Sequence, residues 1–359
     1  MPLTRRHFLE TLAAAPALAL ASARQARAQT RLRVLLNSDF SSVNTWFTLA
    51  DDRGWFTEAG LALDYTGGRG AYTAAGRAAE EGFGVAYGDV NALVEEVARS
   101  NARAPIAVYM MFNRSPSVVA VPAASPIRTP ADLAGRHLRG HATDVALQTF
   151  PVLAAAHGVD AAKVRITTSE AGMGALVTGM LNGDCDGTFG YDSTITAALV
   201  TAGIPAERVR FLPFSTLTPD LYGSTLMVSR RLVQQQPAVV GALVRAVNRG
   251  VAAVVADHDA ALAATARRVP AMHATAERAR LEHTLRGDMG HPEGGRHGIG
   301  AVDDGRLARG IAALCRAKAL PRVPAVADVF DASFAVPAAE RITTLAAFRP
   351  SAPPAPVPS

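Results

Sequence analysis

The sequence predicts an α/β protein of two lobes, each built on a mostly parallel sheet flanked by helices, with a hinge between them. Three observations lead there. Strand-like and helix-like patterns alternate almost throughout the chain. The roughly 330 residues that follow position 28 are too many for one compact core. The strand pattern also leaves one group of strands near residue 112, fills a second group, and returns through a single run at 224–228.

The first 28 residues read as an export leader. Thr4-Arg5-Arg6-His7-Phe8-Leu9 is a twin-arginine pattern, with Glu10 where a basic residue is more usual. A 12-residue apolar run, Thr11 to Ser22, follows, and Ala26-Arg27-Ala28 offers small residues at a cleavage spacing. That run falls short of the roughly 20 residues a bilayer span needs. Cleavage after Ala28 and export of a folded chain are expected; a retained anchor is the alternative. No later stretch reads as long and apolar enough to span.

Composition excludes several classes. Lys plus Arg number 36 against 31 Asp plus Glu; without the leader they are 32 against 30, so the basic balance is partly the leader's. No basic run interleaved with aromatics appears, which argues against nucleic acid. Cys185 and Cys315 are the two cysteines, too few for a cysteine-built zinc or iron–sulfur site. They fall on different lobes, where a bridge would block hinge motion, so two buried free thiols are expected.

Residues 47–72 are the most informative. Gly54 stops a helix as a left-handed cap would, and Trp55-Phe56 pack behind it. Leu61, Leu63 and Tyr65 alternate as a half-buried strand, and Gly67-Gly68-Arg69-Gly70 lets backbone approach a guest before a helix near Ala71. Strands are expected at 32–36, 61–65, 83–86, 106–111, 118–121, 137–139, 164–166, 187–189, 209–211 and 224–228. Thr129-Pro130-Ala131-Asp132 carries an N-cap, a first-turn proline and an acid, which predicts a helix start. A helix at 174–181 stops at Asn182-Gly183, and three more are expected over 239–256, 260–269 and 275–286. Residues 350–359, with five prolines, read as a disordered tail. The first lobe is thus 31–116 plus 223–345, the second 117–222, with crossings near 113–117 and 221–224.

Several phrases together resemble a known family. Leu49-Ala50-Asp51-Asp52-Arg53-Gly54-Trp55-Phe56, Gly67-Gly68-Arg69-Gly70-Ala71, Glu81 to Asp89, Pro126 to Arg136 and Leu181-Asn182-Gly183-Asp184-Cys185-Asp186-Gly187 stand in the order and spacing of substrate-binding proteins of ABC importers. The subgroup is the nitrate/sulfonate/taurine and thiamine-pyrimidine-precursor type, called NMT1/THI5-like, and the likeness covers about 32–260. The resemblance implies a type II periplasmic binding protein fold, a periplasmic location, a small-molecule ligand, a permease with its ATPase as partners, a monomer, and no catalysis or cofactor. Thiamine-pyrimidine-synthase-like enzymes share the fold. This chain lacks their cysteine motif, and its first lysine is Lys163, so their first-lobe lysine is missing.

In such a fold the loops at the strand ends hold the ligand. Asp39, Asn44 and Trp46 follow the first strand, Gly70, Ala71 and Tyr72 the second, Tyr87 and Asp89 the third. Asn113 sits at the crossing, and Thr143, Asp144, Glu170, Tyr191 and Asp192 belong to the second lobe. Trp46 also reads as core, Asp89 and Asp144 as helix caps, and Tyr191 as a packing residue. Carboxylates outnumber arginines in these loops, Asp39, Asp89, Asp144, Glu170 and Asp192 against Arg69 and Arg114, which favours an aminated or neutral organic solute, pyrimidine-like for instance, over an anion. His283, Asp288, His291, Glu293 and His297 lack paired metal-ligand spacing and read as a solvated glycine-rich loop. No G-x-S-x-G elbow, dinucleotide loop or P-loop is complete.

Overall fold

The computed structural model describes residues 29–345, so the expected leader and tail lie outside the described residues. All ten expected strands form, within a few residues of their expected ends. Strands β1 (Thr30–Leu35), β2 (Leu61–Thr66), β3 (Val85–Asp89) and β4 (Ile106–Met110) belong to a first sheet. The chain then builds a second sheet from β5 (Ser117–Pro122), β6 (His137–Gly140), β7 (Arg165–Thr168), β8 (Gly187–Tyr191) and β9 (Val209–Pro213). Strand β10 (Ser224–Val228) returns to the first. The sheet orders are β2-β1-β3-β10-β4 and β7-β6-β8-β5-β9.

Both sheets are mixed rather than mostly parallel. In the first, β1 runs parallel to β2 and β3, while β10 runs antiparallel to β3 and β4. The second repeats the pattern, with β6 parallel to β7 and β8 and β5 antiparallel to β8 and β9. The cause is the crossing itself. In each sheet the fourth strand is the one that has just arrived from the other lobe, and it enters from the end where its neighbour β3 or β8 finishes.

Each sheet is covered on both faces, and the pleat shows how. Val34 packs with Trp46, Leu243 and Val247, while the next residue, Leu35, packs with Ala75, Leu93 and Met110. Val119 and Val121 face Phe150 and Phe189, while Val118 and Ala120 face Val177 and Ile195. The covering helices of the first half are α1 (Thr45–Asp52), the single turn α2 (Trp55–Glu58), α3 (Ala74–Glu81) and α4 (Val90–Ala98). Those of the second sheet are α5 (Val145–Ala156), α6 (Met173–Leu181), α7 (Asp192–Thr201) and the short α8 (Phe214–Leu217). After β10 the chain is helical: α9 (Arg230–Gln235), α10 (Pro237–Ala256), α11 (His258–Arg268), α12 (Ala274–His283), α13 (Pro292–His297), α14 (Asp304–Ala317) and α15 (Val326–Val329).

Local expectations fared unevenly. Gly54 is left-handed at φ 72° and separates α1 from α2, so Trp55-Phe56 begin a helical turn. Thr129 and Asp132 form the expected capping box, but only a 3₁₀ turn, Pro130–Leu133, follows. Ala134 is already extended and Gly135 takes φ 77°, so the helix cannot propagate. The glycine loop makes its closest approach to the chain itself: a side chain at Gly68 would strike the backbone of Leu36 and Asn37. The stretch expected as a solvated loop is ordered and partly buried. It forms a π turn (Thr284–Asp288) and α13, with Asp288 and Glu293 in the interior. Glu293 is held there by Arg306 at 2.8 Å and by the Tyr222 hydroxyl, a pairing between segments that local composition does not reveal.

Helix α10 corrects another expectation. It is long and apolar enough to cross a membrane, with mean hydropathy 1.6, yet 56% of that window is buried inside the fold. Val240, Leu243, Val244, Val247, Val251 and Val254 recur at helical spacing and face the first sheet, the pattern of a core helix. Gly250 lets it touch α1, since a side chain there would strike the Trp46 carbonyl and Ala50. Gly250→Val is therefore expected to destabilise the protein by about 2–4 kcal/mol through overpacking and lost contact with Trp46. Gly241→Ala, whose only close neighbour is the mobile end of Arg245 at 3.4 Å, should be neutral or gain about 0.5–1 kcal/mol. Urea unfolding of both variants checks this; equal midpoints would refute it.

Candidate ligand-binding cleft

Loops from both sheets face each other across a cleft of about 550 Å³. The first lobe supplies Asn37, Ser38 and Val43 after β1, and Arg69, Gly70 and Ala71 after β2. The second supplies His141, Thr143, Asp144 and Val145 after β6, Glu170 and Met173 after β7, and Tyr191 and Thr194 around the end of β8. Arg280 of α12 closes one side. This helix straddles the lobes: Glu277 accepts from the Ser42 backbone N–H at 2.8 Å, and the helix packs chiefly along α7. Thr143 lies against Gly70, so the two rims touch.

Six of the fourteen expected site residues come together as lining: Gly70, Ala71, Thr143, Asp144, Glu170 and Tyr191. The other eight lie around or behind the cleft. Asn44 is buried and donates to the Asp39 carbonyl at 3.1 Å, so both shape the loop after β1. Trp46 is fully buried, edge-on to Tyr87 at 5.7 Å and to Phe112 at 6.2 Å. Tyr72 is engaged by Glu95 and by Lys318 at 2.9 Å. Tyr87, Asp89 and Asn113 are buried where the lobes join, and Asp192 sits at the start of α7. The sequence reasoning missed Asn37, Ser38, Val43, His141, Val145, Met173, Thr194 and Arg280. Arg280 follows the last strand by fifty residues, and only the packing of α12 on α7 brings it to the rim.

Asp89 and Asp144 are indeed helix caps. Asp144 Oδ1 accepts from the Ala146 N–H at 2.7 Å, and Asp89 Oδ1 accepts from the Asn91 N–H at 2.8 Å. Both are also titratable outliers. Burial pushes each carboxyl up to about 6, against the downward pull of those hydrogen bonds. Asp288 is driven well above the usual carboxylate range by burial and by the neighbouring charge of Asp192. His283 Nε2 meets Asp192 Oδ2 at 3.1 Å. Burial alone would pull that imidazole down, but the hydrogen bond and charge of Asp192 outweigh it and hold the ring above 6.5.

Both cysteines are buried and free, and burial raises both thiols, the reverse of what a nucleophilic thiolate needs. Neither lines the cleft.

Two lobes of this topology with a cleft between their strand ends define the type II periplasmic binding protein fold. The chain belongs to the NMT1/THI5-like family, whose model matches residues 42–261. Solved structures show the same fold at low identity. The periplasmic aliphatic sulphonate-binding protein SsuA of Escherichia coli is 15% identical, with TM-score 0.64 over 84% of this chain and 92% of that one. The alkanesulfonate-binding SsuA of Xanthomonas axonopodis pv. citri, bound to MOPS, is 14% identical, with TM-score 0.63 over 85% and 99%. A cysteine-to-serine mutant of DszB in complex with biphenyl-2-sulfinic acid is 17% identical, with TM-score 0.54 over 85% and 97%. No curated protein matches the sequence.

Two pH effects of opposite sign follow. The native state holds the Asp89 proton more tightly than the unfolded chain, whose carboxyl has its ordinary 3.8. Stability is therefore lost as pH rises from about 4 to about 6, by at most ~3 kcal/mol for such a shift. Asp89→Asn keeps the cap acceptor and should raise the melting temperature at pH 7.5, with the gain vanishing near pH 4; calorimetry at both values would expose an equal gain as a refutation. The His283–Asp192 pair is complete below pH 6.5 and weakens as pH rises through the elevated histidine value. Wild type should lose up to ~1 kcal/mol relative to His283→Gln between pH 6 and 9, and parallel pH profiles would contradict the pairing.

Proposed function

We propose that this protein is the solute-binding component of an ABC importer, exported to the periplasm by the twin-arginine route and acting as a monomer without catalysis. It captures a small organic, nitrogen-containing solute, pyrimidine-like for instance, and presents it to a permease driven by an ATPase subunit. The observation that carries this reading is the cleft: rims from both sheets, tied by two chain crossings near 113–117 and 221–224, enclose one solute-sized space. On this reading lobe 1 is residues 31–116 plus 223–345 and lobe 2 is residues 117–222. A solute touching both rims favours the closed form and shifts the population toward it.

Supporting the nitrogen-bearing class are the acceptors Asp144 and Glu170 in the lining and the aromatic face of Tyr191. Arg69, His141 and Arg280 also line the cleft, so the charge there is mixed. Binding of sulfonates by the SsuA proteins does not transfer at such low identity.

A thermal-shift screen of purified protein against pyrimidines, amines, amino acids and sulfonates should yield a stabilising solute. Small-angle scattering should then show a smaller radius of gyration with it. Tyr191→Ala should weaken that solute at least tenfold without unfolding the chain. Turnover of the solute, or binding without any contraction, would sink the reading.

A further inference from the structure

Behind the wall formed by Tyr191 the two crossings meet. Ser224, the first residue of β10, pairs with Asp89, the last of β3. Ser117, the first of β5, pairs in the same way with Tyr191, the last of β8. The two sheets thus bring equivalent strand ends to one point. The polar atoms gathered there lack hydrogen-bond partners although they are shut off from solvent: the Tyr87, Tyr191 and Ser224 hydroxyls, both amide atoms of Asn113, and Oδ2 of Asp89 and Asp288. Side chains of this kind are almost always paired in a folded interior. Several of these groups lie within hydrogen-bonding reach of one another, Tyr191 of Asp89 and Ser224, Tyr87 of Ser224, and Asp288 of Thr284, yet none of these contacts closes to a hydrogen bond of full geometry.

The charge there is lopsided. Asp89 and Asp288 both reach the Tyr87 hydroxyl electrostatically, and neither belongs to an ion pair among the described residues. Asp192, beside Asp288, is occupied by His283. Arg114 is the cation whose charge bears on Asp288; its backbone N–H donates to the Asp288 carbonyl at 2.9 Å, while its guanidinium forms no ion pair with the Asp288 carboxyl among the described residues. In the cleft proper Arg69, His141 and Arg280 accompany Asp144 and Glu170, whereas behind Tyr191 the carboxyls Asp89, Asp192 and Asp288 are accompanied by His283, which Asp192 engages, and by Arg114. An interior carboxyl that stays ionised needs a partner that is positive and donates hydrogen bonds; without one, burial favours its protonated form, as it does at Asp288.

The geometry points to a subsite for an organic cation of the amidinium or ammonium class, ringed by Tyr87, Asp89, Asn113, Tyr191, Ser224 and Asp288. It rests on the solute-binding reading above and narrows it. The cationic head passes Tyr191 and takes Asp89 Oδ2 and Asp288 Oδ2 as acceptors, with Asn113 and the hydroxyls completing its shell. The rest of the solute stays in the cleft between the rims.

Three phenyl probes of different head charge test this: benzamidine, benzamide and benzenesulfonate, titrated by calorimetry at pH 7.5 into wild type, Asp288→Asn and Asp89→Asn. Benzamidine is expected to bind at least tenfold more tightly than benzamide, with benzenesulfonate weakest. Either asparagine variant should lose at least tenfold for benzamidine and little for benzamide. If one variant fails to fold, the other carries the comparison. Tighter binding of benzenesulfonate, or unchanged benzamidine affinity in a folded variant, overturns the cation subsite while leaving the solute-binding reading intact. Absence of binding by all three also overturns the subsite. The broader reading falls only if the full solute screen and the scattering measurement fail as well.

Discussion

The ladders of β10 and β5 hold this molecule together. Each is an antiparallel strand wedged between two neighbours of its sheet, β10 between β3 and β4 and β5 between β8 and β9. Each begins where the chain has just left the other lobe. The backbone hydrogen bonds that complete a sheet therefore also fix the distance between the two sheets. Remove either insertion and its sheet splits into fragments, and the loops at their ends lose their relation to one another. The cleft, the buried polar junction and the straddling helix α12 all inherit their positions from these two strands.

The same constraint explains the unusual electrostatics. A strand end is where backbone polar groups run out of partners, so caps such as Asp89 and Asp144 gather there naturally. Here two sheets present their ends to each other, and the caps become buried as well as useful. A carboxylate that stabilises its helix in water is then held against its preference for ionisation. That conflict between local capping and global burial sets the junction apart from the apolar cores of the two sheets, which avoid it.

Much of the architecture was legible in the sequence. Periodicity located all ten strands, because runs such as Val118–Val121 and Ser224–Val228 are short, apolar and bounded by turn residues. Strand direction was not legible, since pairing across 130 residues leaves no local trace. The site was half legible. Gly70 and Thr143 follow strands within a few residues and Tyr191 ends one, where position alone nominates them. Arg280 could not be nominated, because it sits mid-helix beyond the last strand and reaches the rim through tertiary packing. Trp46 and Tyr87 showed the opposite limit: an aromatic after a strand can as well support the site from behind as face into it. Residues 283–297 misled because glycine and histidine suggested solvent, while Arg306 and Tyr222, far along or far back in the chain, draw Glu293 inside.

Lys318 lies just beyond α14 and away from the cleft. It joins Tyr72 and Glu95 of one half to Gln148 of α5 in the other, donating to Gln148 at 3.2 Å. Such a strut links the two halves without drawing on any residue that lines the cleft. Lining the cleft and tying the halves together are therefore separate tasks in this molecule: the lining residues stand at the strand ends, and Lys318, which is not among them, spans the halves from outside.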